Sequence, residues 1–156
     1  MKPVLQALLL ADRVYRDTTG KHIIAGTFNK LMFKPHGAEP KPIVKDGEER
    51  HVISGGMQAG SPTAYISLTE IRGTTKFELR YVNLERDQAI FRCEFTIKCD
   101  NPLETVEVII PLLSLPPIAG THALELLSNN ELLGSHRVLV EEIEGDHNGD
   151  DDDSQN

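Results

Sequence analysis

The side chains that could ligate a metal or carry a proton are few and scattered along this 156-residue chain. None of its six histidines (His22, His36, His51, His122, His136 and His147) shows the short paired spacing of a zinc site. Cys93 and Cys99 do not form a Cys-x-x-Cys arrangement. No Gly-x-Ser-x-Gly elbow or triad order is present. Glu78 and Glu94 stand at outward positions of alternating segments, where a solvated charge ladder is expected rather than a catalytic pair. Ser54-Gly55-Gly56-Met57-Gln58-Ala59-Gly60-Ser61 is Gly-rich, yet it lacks the Gly-Lys-Ser/Thr ending of a P-loop and the spacing of a dinucleotide fingerprint. Asp146-His147-Asn148-Gly149-Asp150 alternates oxygen ligands without the glycine position and terminal glutamate of an EF-hand. No cofactor or metal is expected. If a site exists, it belongs to the Pro- and Gly-rich stretch 34–62, because long loops in compact domains are commonly functional. Its candidate binding residues are His36, Lys41, Lys45, His51, Ser54 and Gln58.

What must position that loop is β-structure. Phe77, Leu79 and Tyr81 alternate with polar residues, and the period of two resumes with Phe91, Cys93, Phe95 and Ile97. Residues 76–99 therefore read as one hairpin. A three-residue loop would set Arg80 opposite Arg92 and Glu78 opposite Glu94. A five-residue loop, 85–89, sets Arg80 opposite Glu94 and Tyr81 opposite Cys93, and is preferred because like charges directly opposite destabilise a strand pair. Phe95 is expected in the core and Thr96 on the outer face.

Residues 4–14 read as a strand, with a short buried helix as the alternative, apolar on both faces: Leu8 and Leu10 on one, Leu5, Ala7 and Leu9 on the other. A covered second face points to a partner protein or a second subunit. Asp17-Thr18-Thr19-Gly20-Lys21 is a turn. Residues 22–33 read as one strand with Ile23, Ile24, Phe28, Leu31 and Met32 as core residues, and Gly26 marks a bulge or the close approach of another backbone. Ile43-Val44-Lys45-Asp46-Gly47-Glu48 resembles a small hairpin. Strands at 65–71 and 104–110 follow, then an extended path through Pro111, Pro116 and Pro117. The last hairpin, 121–128 and 131–143, turns at Asn129-Asn130; a two-residue turn there sends His122 and His136 to opposite faces.

Composition limits the function classes. Eight of 24 acidic residues follow Val140, so residues 1–140 hold 16 acidic and 16 basic side chains and the net charge of −8 belongs to the tail. Such a balance disfavours nucleic acid, which needs clustered Lys and Arg. Lys21, Lys30, Lys34, Lys41 and Lys45 read as solvated loop lysines. No apolar run approaches the roughly 20 residues of a membrane span, and residues 4–11 lack the cleavage site of a signal peptide. Cys93 and Cys99, six residues apart on one strand, lie roughly 20 Å apart, too far to pair; a reducing, cytoplasmic setting is expected. Cys99, at the strand end, should be the accessible thiol and Cys93 the buried one. The chain has no Trp and three Tyr, which counts against an aromatic carbohydrate platform.

With Leu9, Ala11, Asp12, Val14, Asp17, Gly20, Lys21, Ile24, Gly26 and Phe28 laid out, the chain resembles a family of small bacterial proteins classed as a domain of unknown function. Its members carry this Ala-Asp, Thr-Gly-Lys and Ile-x-Gly-x-Phe head. The resemblance covers about residues 4–33 and 63–143 and leaves 34–62 outside. It implies an immunoglobulin-like β-sandwich and brings no catalytic residues. The expected organisation is one sandwich domain of about seven to eight strands over 1–144, with a disordered acidic tail over 145–156. The expected function is a non-catalytic binding or assembly module for an unidentified protein partner, without nucleic acid or membrane. An enzyme with a site borne on 34–62 and a self-assembling structural protein are the alternatives.

Overall fold

The computed structural model describes residues 2–34 and 61–143, together with the backbone of 42–45 and 48–51. The described chain is all-β. Eleven strands run in order: β1 (Val4–Arg16), β2 (His22–Thr27), β3 (Lys30–Phe33), β4 (Pro42–Lys45), β5 (Glu48–His51), β6 (Thr63–Thr69), β7 (Gly73–Asn83), β8 (Gln88–Cys99), β9 (Val106–Pro111), β10 (Gly120–Ser128) and β11 (Glu131–Glu142). They form a four-stranded sheet, β2-β1-β6-β9, a five-stranded sheet, β3-β11-β10-β7-β8, and the separate ladder β4-β5. Every described pairing is antiparallel except β3 with β11. The inward residues of the two larger sheets share one core: Leu8, Leu10, Ile66 and Leu68 from one, Phe77, Leu79, Tyr81, Leu124, Leu126 and Val138 from the other.

Turn chemistry accounts for the connections. Asp17 Oδ1 accepts the backbone N–H groups of Thr19 at 2.8 Å and Lys21 at 3.0 Å, while Gly20 takes φ +86°. Asn129 and Asn130, at φ +49° and +65°, make the two-residue turn of the β10–β11 hairpin. The segment Ala123-Leu124-Glu125-Leu126-Leu127 favours helix locally yet forms the middle of β10, because both of its faces are packed and both of its edges paired. The antiparallel β4–β5 ladder, from Pro42↔His51 to Lys45↔Glu48, lies where the small hairpin was expected.

Three local irregularities overturn expectations drawn from strict alternation. At Gln6 the register shifts, so Leu5 joins Leu8 and Leu10 on the core side and only Ala7 and Leu9 remain outside. In the central hairpin Ile90 is the extra residue and the turn spans 84–87. Arg80 therefore faces Arg92, Glu78 faces Glu94 and Tyr81 faces Phe91, which corrects the five-residue loop and its charge pairing. The like-charge argument failed because β7 has a second neighbour: Arg80 sits opposite Glu125 of β10 and donates to its Oε2 at 3.0 and 3.2 Å. At Leu133 a further bulge sets His136 opposite Leu124 and His122 opposite Val138. The two histidines thus share the core-facing side despite the two-residue turn.

Residues 22–33 are not one strand. β2 belongs to the four-stranded sheet and β3 to the five-stranded one, with the crossing at Phe28 and Asn29. Ile23 and Met32 are exposed, whereas Phe28 and Leu31 pack on the core. The thiols also reverse. Cys99 is buried, its Sγ 3.2 Å from the carbonyl oxygen of Asn101. Cys93 has the expected core-side parity but is only half-buried, because β8 is a sheet edge. Both thiols are free.

Candidate functional site

Four polar side chains that no spacing brought together meet on the outer face of the four-stranded sheet. Register puts His22 level with Arg16, seven residues beyond Leu9, the partner of Tyr65. On a flat sheet those levels are about 23 Å apart. Yet the rings of His22 and Tyr65 have centroids 5.9 Å apart. The β1–β2 ribbon must therefore curl back over the sheet. The bend falls where Asp12 faces Gly26: pairing holds at Ala11↔Thr27 and resumes at Arg13↔Ala25. Gly26 has φ +73°, and a Cβ there would run into the Asp12 carboxylate. A side chain there would be strained at that φ and would displace the Asp12 carboxylate; the approach comes from a side chain, where a bulge or another backbone was expected.

Beyond the bend the ribbon is an arm with two unlike faces. Val14, His22 and Ile24 are half-buried against the sheet, and Tyr15 and Ile23, directly opposite each other, face solvent. Its tip is pinned by one carboxylate. Tyr65 donates its hydroxyl to Glu107 Oε2 at 2.6 Å. His22 Nδ1 lies 2.6 Å from the same oxygen, which sits off the ring's N–H axis. Arg16 Nε donates to His22 Nε2 at 3.2 Å, which makes that nitrogen the acceptor. The Tyr65 hydroxyl is foremost in holding the Glu107 carboxyl below its ordinary range, with His22 and Arg16 adding to it. Burial, then the carboxylate, pushes the Tyr65 phenol up. Each shift describes a bond formed by ionised Glu107 and neutral Tyr65. His22 was visible in the sequence as a lone histidine. Arg16, Tyr65 and Glu107 were missed, because only the curl of the arm gathers residues 91 positions apart.

A second polar feature lies on the outer face of the five-stranded sheet. A cleft of about 410 Å³ is lined by Lys76, Glu78, Glu94, Thr96 and the Asn129–Asn130 turn. Glu94 is exposed as expected, but Glu78 is not simply solvated: its Oε1 is buried and has no hydrogen-bond partner. In the core, Tyr81 is stacked between Phe91 (5.4 Å) and His122 (5.2 Å, rings 4° from parallel). His122 Nδ1 reaches Gly120 O at 3.2 Å, while its Nε2 and the Tyr81 hydroxyl are buried without partners. Burial lowers the His122 pKa, and burial raises that of Tyr81.

Of the loop residues singled out from sequence, His36, Lys41, Ser54 and Gln58 lie outside the described residues, as does the tail 145–156. Lys45 and His51 fall at opposite ends of the β4–β5 ladder, where Lys45 pairs with Glu48 and His51 with Pro42. Among the described residues no group of three or more His, Cys, Asp or Glu gathers as a metal site, and no helix is long and apolar enough to cross a membrane. No protein-family model matches this chain, and no curated protein matches it either.

Proposed function

We propose that this protein is a non-catalytic binding module of the cytoplasm that holds a protein partner on the solvent face of its curled arm. One observation carries the reading. The residue types that acid–base chemistry would use on this face are gathered together: Tyr65 is bonded to Glu107, Arg16 to His22, and His22 Nδ1 lies 2.6 Å from the Glu107 carboxylate. Their joint effect is to hold an exposed aromatic–aliphatic pair, Tyr15 and Ile23, on a rigid ribbon. Large amphipathic rings fixed in advance are what protein recognition favours. The two larger sheets packed about one core support an immunoglobulin-like sandwich of the small bacterial family whose head motif this chain resembles. The two free thiols support a reducing compartment.

The test is affinity capture from native cells with wild type and with Tyr15→Ser/Ile23→Ser, whose substitutions lie at exposed positions and should leave the thermal midpoint in place. A stoichiometric partner retained by wild type and lost by the variant is the expected result. Equal retention by both would move the binding face elsewhere. Turnover of a substrate panel that disappears in His22→Gln, with the fold intact, would make the Arg16, His22, Tyr65 and Glu107 cluster a catalytic site and end this reading.

A further inference from the structure

The outward row of β8 is electrostatically unfinished. Arg92 faces Arg80, whose charge is already met by Glu125, and Glu94 faces Glu78, which has an orphaned buried oxygen. Among the described residues no strand pairs with the other edge of β8, the longest sheet edge in the structure at 12 residues. Its inward row, Phe91, Cys93, Phe95 and Ile97, is only half-buried. A long edge with an apolar row beneath it is a template for another strand.

We propose that the occupant is β8 of a second copy, joined antiparallel about a two-fold axis at Thr96. The register follows from the charges. A two-fold axis normal to the sheet keeps outward residues opposite outward residues, so the axis must pass through a residue. An axis at Glu94 sets that residue against the partner's Glu94. At Phe95 it opposes Arg92 to the partner's Lys98, and at Ile97 it opposes Glu94 to the partner's Asp100. An axis at Cys93 matches Arg92 with the partner's Glu94 but leaves Lys98 opposite the partner's Gln88 and runs the pairing through the Ile90 bulge. Only the axis at Thr96 opposes Glu94 to the partner's Lys98 and Arg92 to the partner's Asp100, with Thr96 against the partner's Thr96. Each like-charged row then ends on an opposite charge across the new seam: Glu78 and Glu94 on the partner's Lys98, Arg80 and Arg92 on the partner's Asp100. Phe95 meets the partner's Ile97 beneath them. The surface lies on a different sheet from the arm, so its failure leaves the arm's role standing.

Sedimentation over a dilution series tests the proposal, with thermal midpoints as the folding control. Wild type should be a dimer that dissociates on dilution. Glu94→Lys and Lys98→Glu should each be monomeric and folded, since both side chains are exposed, and the double variant should dimerise again. Thr96→Cys should form an intermolecular disulfide mapped to that residue in both copies. A wild-type monomer throughout, or a dimer indifferent to both single variants, would overturn the interface. Recovery by Arg92→Glu/Glu94→Arg in place of the first double variant would overturn the register by moving the axis to Cys93.

Discussion

Strand β7 has two seams, and they are built differently. Towards β10 its inward residues meet buried partners, Leu79 opposite Leu126 and Tyr81 opposite Leu124, and its outward Arg80 meets Glu125. Towards β8 the inward partners Phe91, Cys93 and Phe95 are half-exposed, and two outward pairs, Glu78 with Glu94 and Arg80 with Arg92, carry like charges. One strand can tolerate this because a charge needs only one good partner. Arg80 finds it on the β10 side, where Glu125 is the better shielded of the pair. The contrast teaches that cross-strand pair rules act on a whole row of strands, and that pairwise reading of one hairpin in isolation picks the wrong register.

The largest expected effect separates β7 from its edge neighbour β8 by burial. Phe77 is 2% exposed and stacks on Phe95 with centroids 5.4 Å apart. Phe77→Ala should cost about 3–5 kcal/mol, and Phe95→Ala, at the half-covered edge, about 1–2 kcal/mol. Urea midpoints of the two variants in dilute solution check this; equal losses would mean that the edge strand β8 is as enclosed as β7. Next comes charge. Glu125→Gln leaves Arg80 facing only Arg92 and should cost about 1–2 kcal/mol after allowing for partial exposure. Glu94→Gln, measured in dilute solution, should change stability by less than about 0.5 kcal/mol. If Glu94→Gln were the more harmful, the β7–β8 charges would have to be favourable rather than tolerated.

The third prediction concerns protons at the β10 seam. His122 has its pKa lowered by burial, so the unfolded chain takes up the proton first. Its contribution to stability is complete above the ordinary histidine value of 6.5 and declines as pH falls through it. Wild type should lose stability between neutral and mildly acidic pH, and His122→Phe, which keeps the stack on Tyr81, should show a flatter profile over that range. Parallel profiles would assign the acid sensitivity to other groups. The smallest effect is expected from Tyr81→Phe. Removing a buried hydroxyl without a partner should leave stability unchanged or raise it by up to about 1 kcal/mol. A clear loss would reveal a hydrogen bond to that hydroxyl.

Alternation, turn residues and the apolar rows made the all-β class, the Asp17 turn, the Asn129–Asn130 turn and the inward set of β7 legible in the sequence. What was not legible has a common physical origin. A single extra residue at Gln6, Ile90 or Leu133 reverses the faces of everything beyond it, and none of these residues has a composition that announces a bulge. Gly26 did announce a special backbone, but not that it would split 22–33 between two sheets. The polar cluster at the arm's tip was invisible for a related reason. Arg16, His22, Tyr65 and Glu107 are ordinary outward residues until the ribbon bends, and nothing in their spacing encodes the bend. The apolar second face of β1 suggested a partner; part of that cover is the chain's own arm.

The one parallel pairing among the described strands has a consequence for how the molecule is made. β3 joins β11 with Lys30 beside Leu139, a separation of 109 residues. A ribosome delivers β3 early and its neighbour last among the described strands, so β3 must wait through the synthesis of nearly everything else. The four-stranded sheet has no such delay, since β1, β2, β6 and β9 all precede β10. Half of the sandwich can therefore assemble while its lid is still incomplete, with Leu8, Leu10, Ile66 and Leu68 uncovered in the interval. Contacts this distant in sequence close slowly, and the nascent chain is exposed to aggregation for as long as they remain open.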